Sequence, residues 1–240
     1  MADQNDDFDA LLEGTSLGSR GARRLRARTP AVRAHAARAL AGWWHNYSDG
    51  LPSWFPTYLA LEHEASLIRT YEMNYVPGLL QTEPYARANV QQGMKNASDS
   101  DVEKHVTLRL ERQKRLVSEN APQVHIVLDE AALRRPYGDR EVMRGQIQHL
   151  IEMSQWENVR LQIMPFSFGG HSGESGTFTI LGFSESDLPN VVYVEHLTSA
   201  LYLDRQVDVA QYKAAMEQLQ ADSPSPDESR DLLRGLLQLS

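Results

Sequence analysis

The stretch that decides the predicted fold is Tyr71-Glu-Met-Asn-Tyr-Val-Pro-Gly-Leu-Leu-Gln-Thr-Glu-Pro-Tyr-Ala-Arg-Ala88. Pro77 presets φ and Gly78 tolerates a positive φ, so this pair favours a tight turn. Thr82 is a good helix cap, and Pro84 suits the first turn of the helix that follows. The stretch therefore predicts a turn between two helices, pressed onto the core or onto a pocket.

Apolar side chains crowd this turn, which is unusual for a loop that lies in water. We expect Val76, Leu79 and Leu80 to point inward, so that the turn joins a helical half of the chain to a sheet. Such a joint would leave a cavity beside it. The residues of the stretch that are candidates for lining the cavity are Tyr71, Glu72 and Tyr85.

Composition bounds the class of protein. The 240 residues include no cysteine, which excludes disulfides and thiolate zinc sites and fits a reducing cytoplasm. The acidic start is not followed by an apolar segment, so no secretory signal is predicted. No run approaches the length of a transmembrane helix. We expect a cytoplasmic protein without a membrane segment.

The net charge of −8 hides an asymmetry along the chain. Residues 1–49 carry seven basic and six acidic side chains, so the remaining 17 basic and 26 acidic side chains give the body a net charge of −9. An acidic body makes nucleic acid an unlikely main partner. Seven arginines lie in residues 20–38, and this run suits a solvated segment, a dock for an acidic surface or a phosphate contact.

The pattern of apolar residues predicts an α/β (α+β) fold. Residues 1–28 are expected to be a disordered acidic and Arg-rich tail, and residues 29–240 a single globular domain. Its helical part, 29–120, includes a helix with Tyr58, Leu61, Ala65 and Ile68 on one face and a long helix capped by Ser100. Its sheet part, 121–240, is a mixed sheet of about five strands with C-terminal helices. The predicted strands are 123–128, 159–163, 178–183, 191–195 and 201–203.

Acid–base residues occur in two places. The glycine-rich loop Phe168–Gly176 contains His171 and Glu174, and one predicted strand ends in Glu195 and His196. If the chain is an enzyme, His171, Glu174 and His196 are its catalytic candidates. No metal spacing and no nucleotide-binding or nucleophile motif is present, so neither a metal nor a cofactor is predicted.

A further ligand contact is expected at the carboxyl end of the first predicted strand of the sheet part. Asp129 lies there, and Arg134 follows about one helical turn later. These residues would form either a structural ion-pair network or part of a ligand site. The full set of ligand-binding candidates is Tyr71, Glu72, Tyr85, Asp129, Arg134, Tyr193 and Glu195.

Several separated motifs resemble a known, uncharacterised domain. They are Gly42-Trp-Trp-His-Asn-Tyr-Ser-Asp49, Tyr71-Glu72 with Val76-Pro-Gly-Leu-Leu-Gln-Thr82, Tyr85-Ala-Arg87, Leu128-Asp-Glu-Ala-Ala-Leu-Arg134 and Tyr202-Leu-Asp204. That domain follows the DNA-binding module of actinobacterial XRE-type helix-turn-helix regulators, often described as antitoxin-like. The resemblance implies an actinobacterial origin and a sensory or partner-binding role. Residues 1–40 lack the compact pattern of a helix-turn-helix, so DNA binding by this chain is not expected.

Three functional hypotheses remain open at this point. The first is a stand-alone regulatory module that binds a small molecule or a protein. The second is an enzyme of specialised metabolism that evolved from the binding pocket of such a regulator and uses His and Glu residues. The third is a residual regulator that uses its arginine run on DNA. The sequence also leaves a homodimer open.

Overall fold

The computed structural model describes residues 51–184 and 189–239. Its centre is a six-stranded mixed sheet in the order β3-β2-β1-β4-β5-β6. β1, β2 and β3 are parallel, whereas β4, β5 and β6 continue the sheet antiparallel. The strands are β1 Leu67–Glu72, β2 Gln123–Asp129, β3 Val159–Met164, β4 Phe178–Gly182, β5 Val191–His196 and β6 Ser199–Leu203.

Seven α-helices occur in the described part of the chain. They are α1 Phe55–Glu64, α2 Glu83–Gly93, α3 Asp99–Gln113, α4 Glu130–Arg134, α5 Arg140–Met153, α6 Gln206–Asp222 and α7 Pro226–Leu239. Short 3-10 helices lie at Gly78–Leu80, Lys114–Val117 and Phe166–Phe168. The α/β fold with C-terminal helices is confirmed. The predicted helix at 29–47 and the predicted tail at 1–28 lie outside the described residues.

The sheet separates two buried clusters. On one face, alternate strand residues such as Ile68, Ile126 and Tyr193 pack against α1 to α5 and α7. On the other face, Tyr71 and its neighbours pack against α6. Side chains alternate between faces along a strand, so successive residues of β1 contribute to different clusters. The result is a three-layer domain with a thick helical layer and a thin one.

The central strand β1 is the main correction to the sequence-based prediction. The predicted helix through Ile68 is wrong, because α1 ends at Glu64 and Ala65 is already extended at φ −65° and ψ 133°. The residues after it pair with β2 on one side and with β4 on the other. Pairing on both edges decides the conformation here, because it satisfies every backbone group of a buried segment.

The opening stretch is consequently a strand-to-helix connection and not a turn between two helices. Tyr71 and Glu72 end β1, and the chain then passes through the 3-10 helix into α2. Thr82 caps α2 as predicted, with its Oγ1 accepting from the Tyr85 N–H at 3.4 Å. Gly78 does not have the positive φ that the sequence suggested. A Cβ at this glycine would lie 3.1 Å from Nη1 of Arg112, so close approach is the reason for glycine here.

Two other predicted caps have different outcomes. Asp139 caps α5, and its Oδ1 accepts from the Val142 N–H at 2.9 Å. The predicted cap of α3 at Ser100 is wrong, since Ser98 performs this role by accepting from the Asp101 N–H at 3.2 Å. Acidic residues follow both Ser98 and Ser100, as expected in the first turn of a helix. The sequence alone therefore does not distinguish which of the two serines caps α3.

Candidate functional site

A cavity of about 760 Å³ lies on the thick side of the sheet. The sheet supplies its floor through Ile68, Thr70 and Glu72 of β1 and through Thr179 of β4. The helices α1 and α3 and the 3-10 helix at 78–80 form its walls. A volume between about 300 and 1,000 Å³ is typical of small-molecule sites.

Aromatic side chains dominate the walls. The rings of Tyr58 and Tyr193 lie 4.4 Å apart, and Phe55 stacks on Tyr58 at 5.5 Å. Together they offer a rigid surface on which a planar or apolar group can pack with little loss of conformational entropy. The aromatic residues that line the cavity on this side of the sheet are Trp54, Phe55, Tyr58, Tyr75, Tyr137 and Tyr193.

One buried ion pair stiffens this wall. Arg112 donates from Nε and Nη2 to the two carboxylate oxygens of Glu62, both at 2.7 Å. Tyr58 donates its hydroxyl to the same carboxylate at 2.7 Å, and the guanidinium lies over the Tyr58 ring at 5.6 Å. Burial lowers the pKa of Arg112, but the Glu62 carboxylate more than offsets this and holds the pKa above its ordinary value. The two charges are thus already matched to each other.

Arg109 differs, because the described residues give it no ion pair and the charge of Glu195 acts on it only from beyond ion-pair distance. Its Nη1 donates to the backbone carbonyl of His105 at 3.2 Å, one turn earlier on α3. Within residues 51–184 and 189–239, no carboxylate lies within ion-pair distance of this guanidinium. Burial, and then the charge of Arg112, lower the pKa of Arg109 to about 10. The side chain is still a cation at neutral pH, and it lines the cavity.

Glu72 of β1 is a buried carboxylate on the floor of the cavity. Its Oε1 accepts from the N–H groups of Met73 and Asn74, each at 2.9 Å, and from Oγ1 of Thr177 at 2.7 Å. Burial raises the pKa of Glu72 above its ordinary value although these hydrogen bonds act in the other direction. Thr177 connects the segment between β3 and β4 to the cavity floor.

The raised pKa predicts how Glu72 affects stability. The folded protein holds this proton more tightly than the unfolded chain does, so the contribution is complete below the unfolded value of 4.5 and is lost as the pH rises through the folded pKa. We expect the free energy of unfolding of Glu72→Gln to fall less than that of the wild type between pH 4 and pH 7. Denaturant titrations at several pH values measure the difference. The exposed Glu174→Gln is the matched control, and a variant whose pH profile equals the wild type's contradicts the prediction.

The end of β5 completes the cavity. Glu195 accepts a hydrogen bond from the indole Nε1–H of Trp54 at 3.1 Å. Trp54 is the N-cap residue of α1, so this hydrogen bond connects the start of α1 to β5. The hydroxyl of Tyr193 is buried beside the Glu195 carboxylate. Burial, followed by the charge of Glu195, raises the pKa of Tyr193 far above its ordinary value. Of the sequence-based candidates, four therefore line one cavity: Glu72, Tyr193, Glu195 and His196.

A second group of candidates meets on the opposite face of the sheet. Tyr71 donates its hydroxyl to Oδ2 of Asp129 at 3.2 Å, and Nε2 of His171 lies 3.4 Å from the same hydroxyl. His171 Nε2 is also 3.5 Å from Asp129 Oδ2, and its Nδ1 accepts from the Gly173 N–H at 3.1 Å. A Cβ at Gly173 would lie 2.5 Å from the Tyr71 ring. This cluster fastens the glycine-rich loop to β1 and does not line the cavity.

The remaining ligand-binding and catalytic candidates, Arg134, Tyr85 and Glu174, do not line the cavity. Arg134 pairs with Glu130 at 2.8 Å on a solvent-exposed surface. Tyr85 is fully buried, and its hydroxyl accepts from the Val76 N–H at 3.1 Å. Glu174 is exposed. Of the three catalytic candidates, only His196 lines the cavity, so the structure does not bring His171, Glu174 and His196 into one pocket.

Sequence reasoning missed the residues that give the cavity its charge. Leu108 of α3 is buried against the sheet, and Arg109 and Arg112 of the same helix line the cavity. Val102 and Val106 of the same helix are buried in a separate small cluster with α2. The available signal was the spacing of the two arginines, which places them one turn apart on one face.

Membrane-spanning helices and metal-ligand clusters are both absent from the described residues. No helix among them is both long and apolar enough to cross a membrane. In the same part of the chain, no group of three or more His, Asp or Glu side chains is arranged to hold a metal ion.

The fold and the cavity define an α/β domain with an aromatic-walled pocket above a mixed sheet. The chain belongs to the family described as "Domain of unknown function (DUF5753)", whose model matches residues 55–235. Neither a curated protein nor a solved structure matches the chain. The match begins at the first residue of α1 and ends within α7, so it covers all the elements that surround the cavity.

Proposed function

We propose that this chain is a regulatory module that binds a small molecule in the cavity between the sheet and α3. The cavity itself carries the proposal. It combines a ligand-sized volume, rigid aromatic walls and buried polar atoms, such as Oε1 of Gln81, that make no hydrogen bond with the described residues.

The resemblance to the domain that follows the helix-turn-helix of XRE-type regulators supports a sensory role. A ligand that orders α1 and α3 around the pocket would change the surface these helices present, which is how a binding module affects a partner. The acidic body supports a ligand or protein partner in preference to DNA. The arginine run at 20–38 lies outside the described residues.

The enzyme hypothesis receives no specific support from the geometry. His171 contacts Tyr71 and Asp129 on the far face of the sheet, and Glu174 is exposed. Acid–base catalysis needs its groups within hydrogen-bond reach of one bound substrate. Ligand binding needs only the cavity, so it is the function that the site supports best.

Filling the cavity tests this proposal. We expect Thr179→Trp to place an indole into the space above the floor and to abolish binding of any ligand that native mass spectrometry detects on freshly purified wild-type protein. The same spectra report whether the protein is a homodimer. Thr107→Trp, on α3 but not lining the cavity, is the matched control and should keep the ligand. A ligand that survives Thr179→Trp in a folded protein, as judged by circular dichroism, contradicts the proposed site.

A further inference from the structure

We infer that the ligand of this cavity is a singly charged organic acid with an aromatic or aliphatic body, whose acid group binds Arg109. This inference rests on the proposed function and names the chemical class of its ligand. Arg109 carries it, because this guanidinium faces the cavity and its only hydrogen-bond acceptor in the described structure is a carbonyl of its own helix.

The contrast with Arg112 explains why Arg109 is a ligand site. Both arginines lie on α3 and line the cavity, but Glu62 takes two hydrogen bonds from Arg112. The charge of Glu195 acts on Arg109 only from beyond ion-pair distance. A partly desolvated cation without a directly paired carboxylate is unfavourable, and a ligand anion that forms charge-assisted hydrogen bonds with it recovers that cost. A planar guanidinium also matches the geometry of a carboxylate or sulfonate.

The other charges of the cavity limit the ligand to one negative group. Glu72 and Glu195 line the same space, and Glu195 is close enough to raise the pKa of Glu72. A polyanion such as a nucleoside triphosphate would bring further negative charge towards both carboxylates and would be repelled. A monoanion can place its single charge at Arg109 and keep its uncharged body away from the carboxylates.

The aromatic wall sets the nature of that body. Phe55, Tyr58 and Tyr193 form a continuous row of contacting rings next to the Arg112–Glu62 pair. The buried hydroxyl of Tyr193, which lies beside the Glu195 carboxylate, can form a hydrogen bond with a polar substituent of the ligand. An aromatic or aliphatic skeleton buried there gains both area and stacking.

A matched pair of fluorescent probes tests this inference. 8-Anilinonaphthalene-1-sulfonate carries one sulfonate, and N-phenyl-1-naphthylamine has the same ring system without it. We expect the wild type to bind the sulfonate probe more tightly than the neutral probe. Arg109→Gln should raise the Kd of the sulfonate probe about tenfold or more and change that of the neutral probe less than about twofold. Arg109→Lys should retain most of the affinity, because it keeps the charge.

Control measurements separate this inference from the proposed function. Arg205→Gln removes an exposed arginine outside the cavity and should bind both probes like the wild type. The assignment of the acid group to Arg109 is overturned if Arg109→Gln binds the sulfonate probe as tightly as the wild type does, or if it binds both probes more weakly by the same factor. Either result leaves the proposed small-molecule site in the cavity intact. If the wild type binds neither probe, the small-molecule site itself fails. Circular dichroism and an unchanged urea midpoint establish that each variant is folded.

Discussion

Arg112→Gln is expected to lower the free energy of unfolding by about 3–5 kcal/mol, because it leaves the Glu62 carboxylate buried without its counter-charge. The two side chains are only 10% and 6% exposed. Glutamine can replace at most part of the bidentate contact, and it cannot supply the positive charge. Equilibrium unfolding in urea, analysed with a common slope, measures the change.

The double variant Glu62→Gln/Arg112→Gln separates the charge effect from lost packing. It should be more stable than Arg112→Gln alone, since neither charge is then left unpaired. Arg205→Gln breaks the exposed pair with Asp208 and should leave the urea midpoint close to that of the wild type. An Arg112→Gln protein that unfolds at the wild-type midpoint would show that the Glu62 carboxylate is solvated and that the pair does not stiffen the cavity wall.

The fold was predictable wherever one segment carried its own periodic signal. The strands near 123 and 159 and the helices α5 and α7 follow their apolar spacing closely. β1 could not be found in this way, because Leu67-Ile-Arg-Thr-Tyr-Glu72 continues the helical spacing of α1 for one more turn. Its neighbours in the sheet decide its conformation, and they come from residues 123–129 and 178–182.

The candidate site was predictable only in part, for the same reason. Tyr71 and Glu72 were proposed together as cavity residues, but adjacent residues of a strand face opposite sides. Glu72 therefore lines the cavity, whereas Tyr71 contacts Asp129 and His171 beyond the sheet. The hydrogen bond between Trp54 and Glu195 joins residues 141 positions apart in the sequence. A local sequence pattern cannot predict a contact of this kind.

β1 is the element through which both faces of the sheet are coupled. Its Glu72 is tied to Thr177, and its Tyr71 is tied to His171, so the segment between β3 and β4 is fastened on both sides of the sheet. A ligand that displaces the Glu72 contact in the cavity would act on the same loop that His171 holds. The cluster around Tyr71 therefore helps to hold the loop whose Thr177 contacts Glu72 on the cavity floor.

Leu80→Ala is expected to destabilise the protein by about 2–5 kcal/mol, because it removes a fully buried side chain from the connection between β1 and α2. Leu80 ends the 3-10 helix, where its carbonyl also accepts from Nε2 of Gln146 at 2.7 Å. The amide oxygen of Gln146 accepts from the Thr82 N–H at 2.7 Å, so α5 holds this connection from both sides. These fixed hydrogen bonds prevent the backbone from closing the cavity that the shortened side chain would leave, which places the expected cost towards the upper end of the range.

The matched control for Leu80→Ala is Leu197→Ala in the connection between β5 and β6, where the leucine is 97% exposed. It should change the free energy of unfolding by no more than about 0.5 kcal/mol. Thermal and urea unfolding of the two alanine variants, prepared in parallel, give the comparison. Equal losses in both would mean that the 78–80 segment is not packed between α3 and α5 as described. A large loss confined to Leu80→Ala, with Thr82 still capping α2, would instead show that the apolar residues of this stretch stabilise the wall of the ligand cavity.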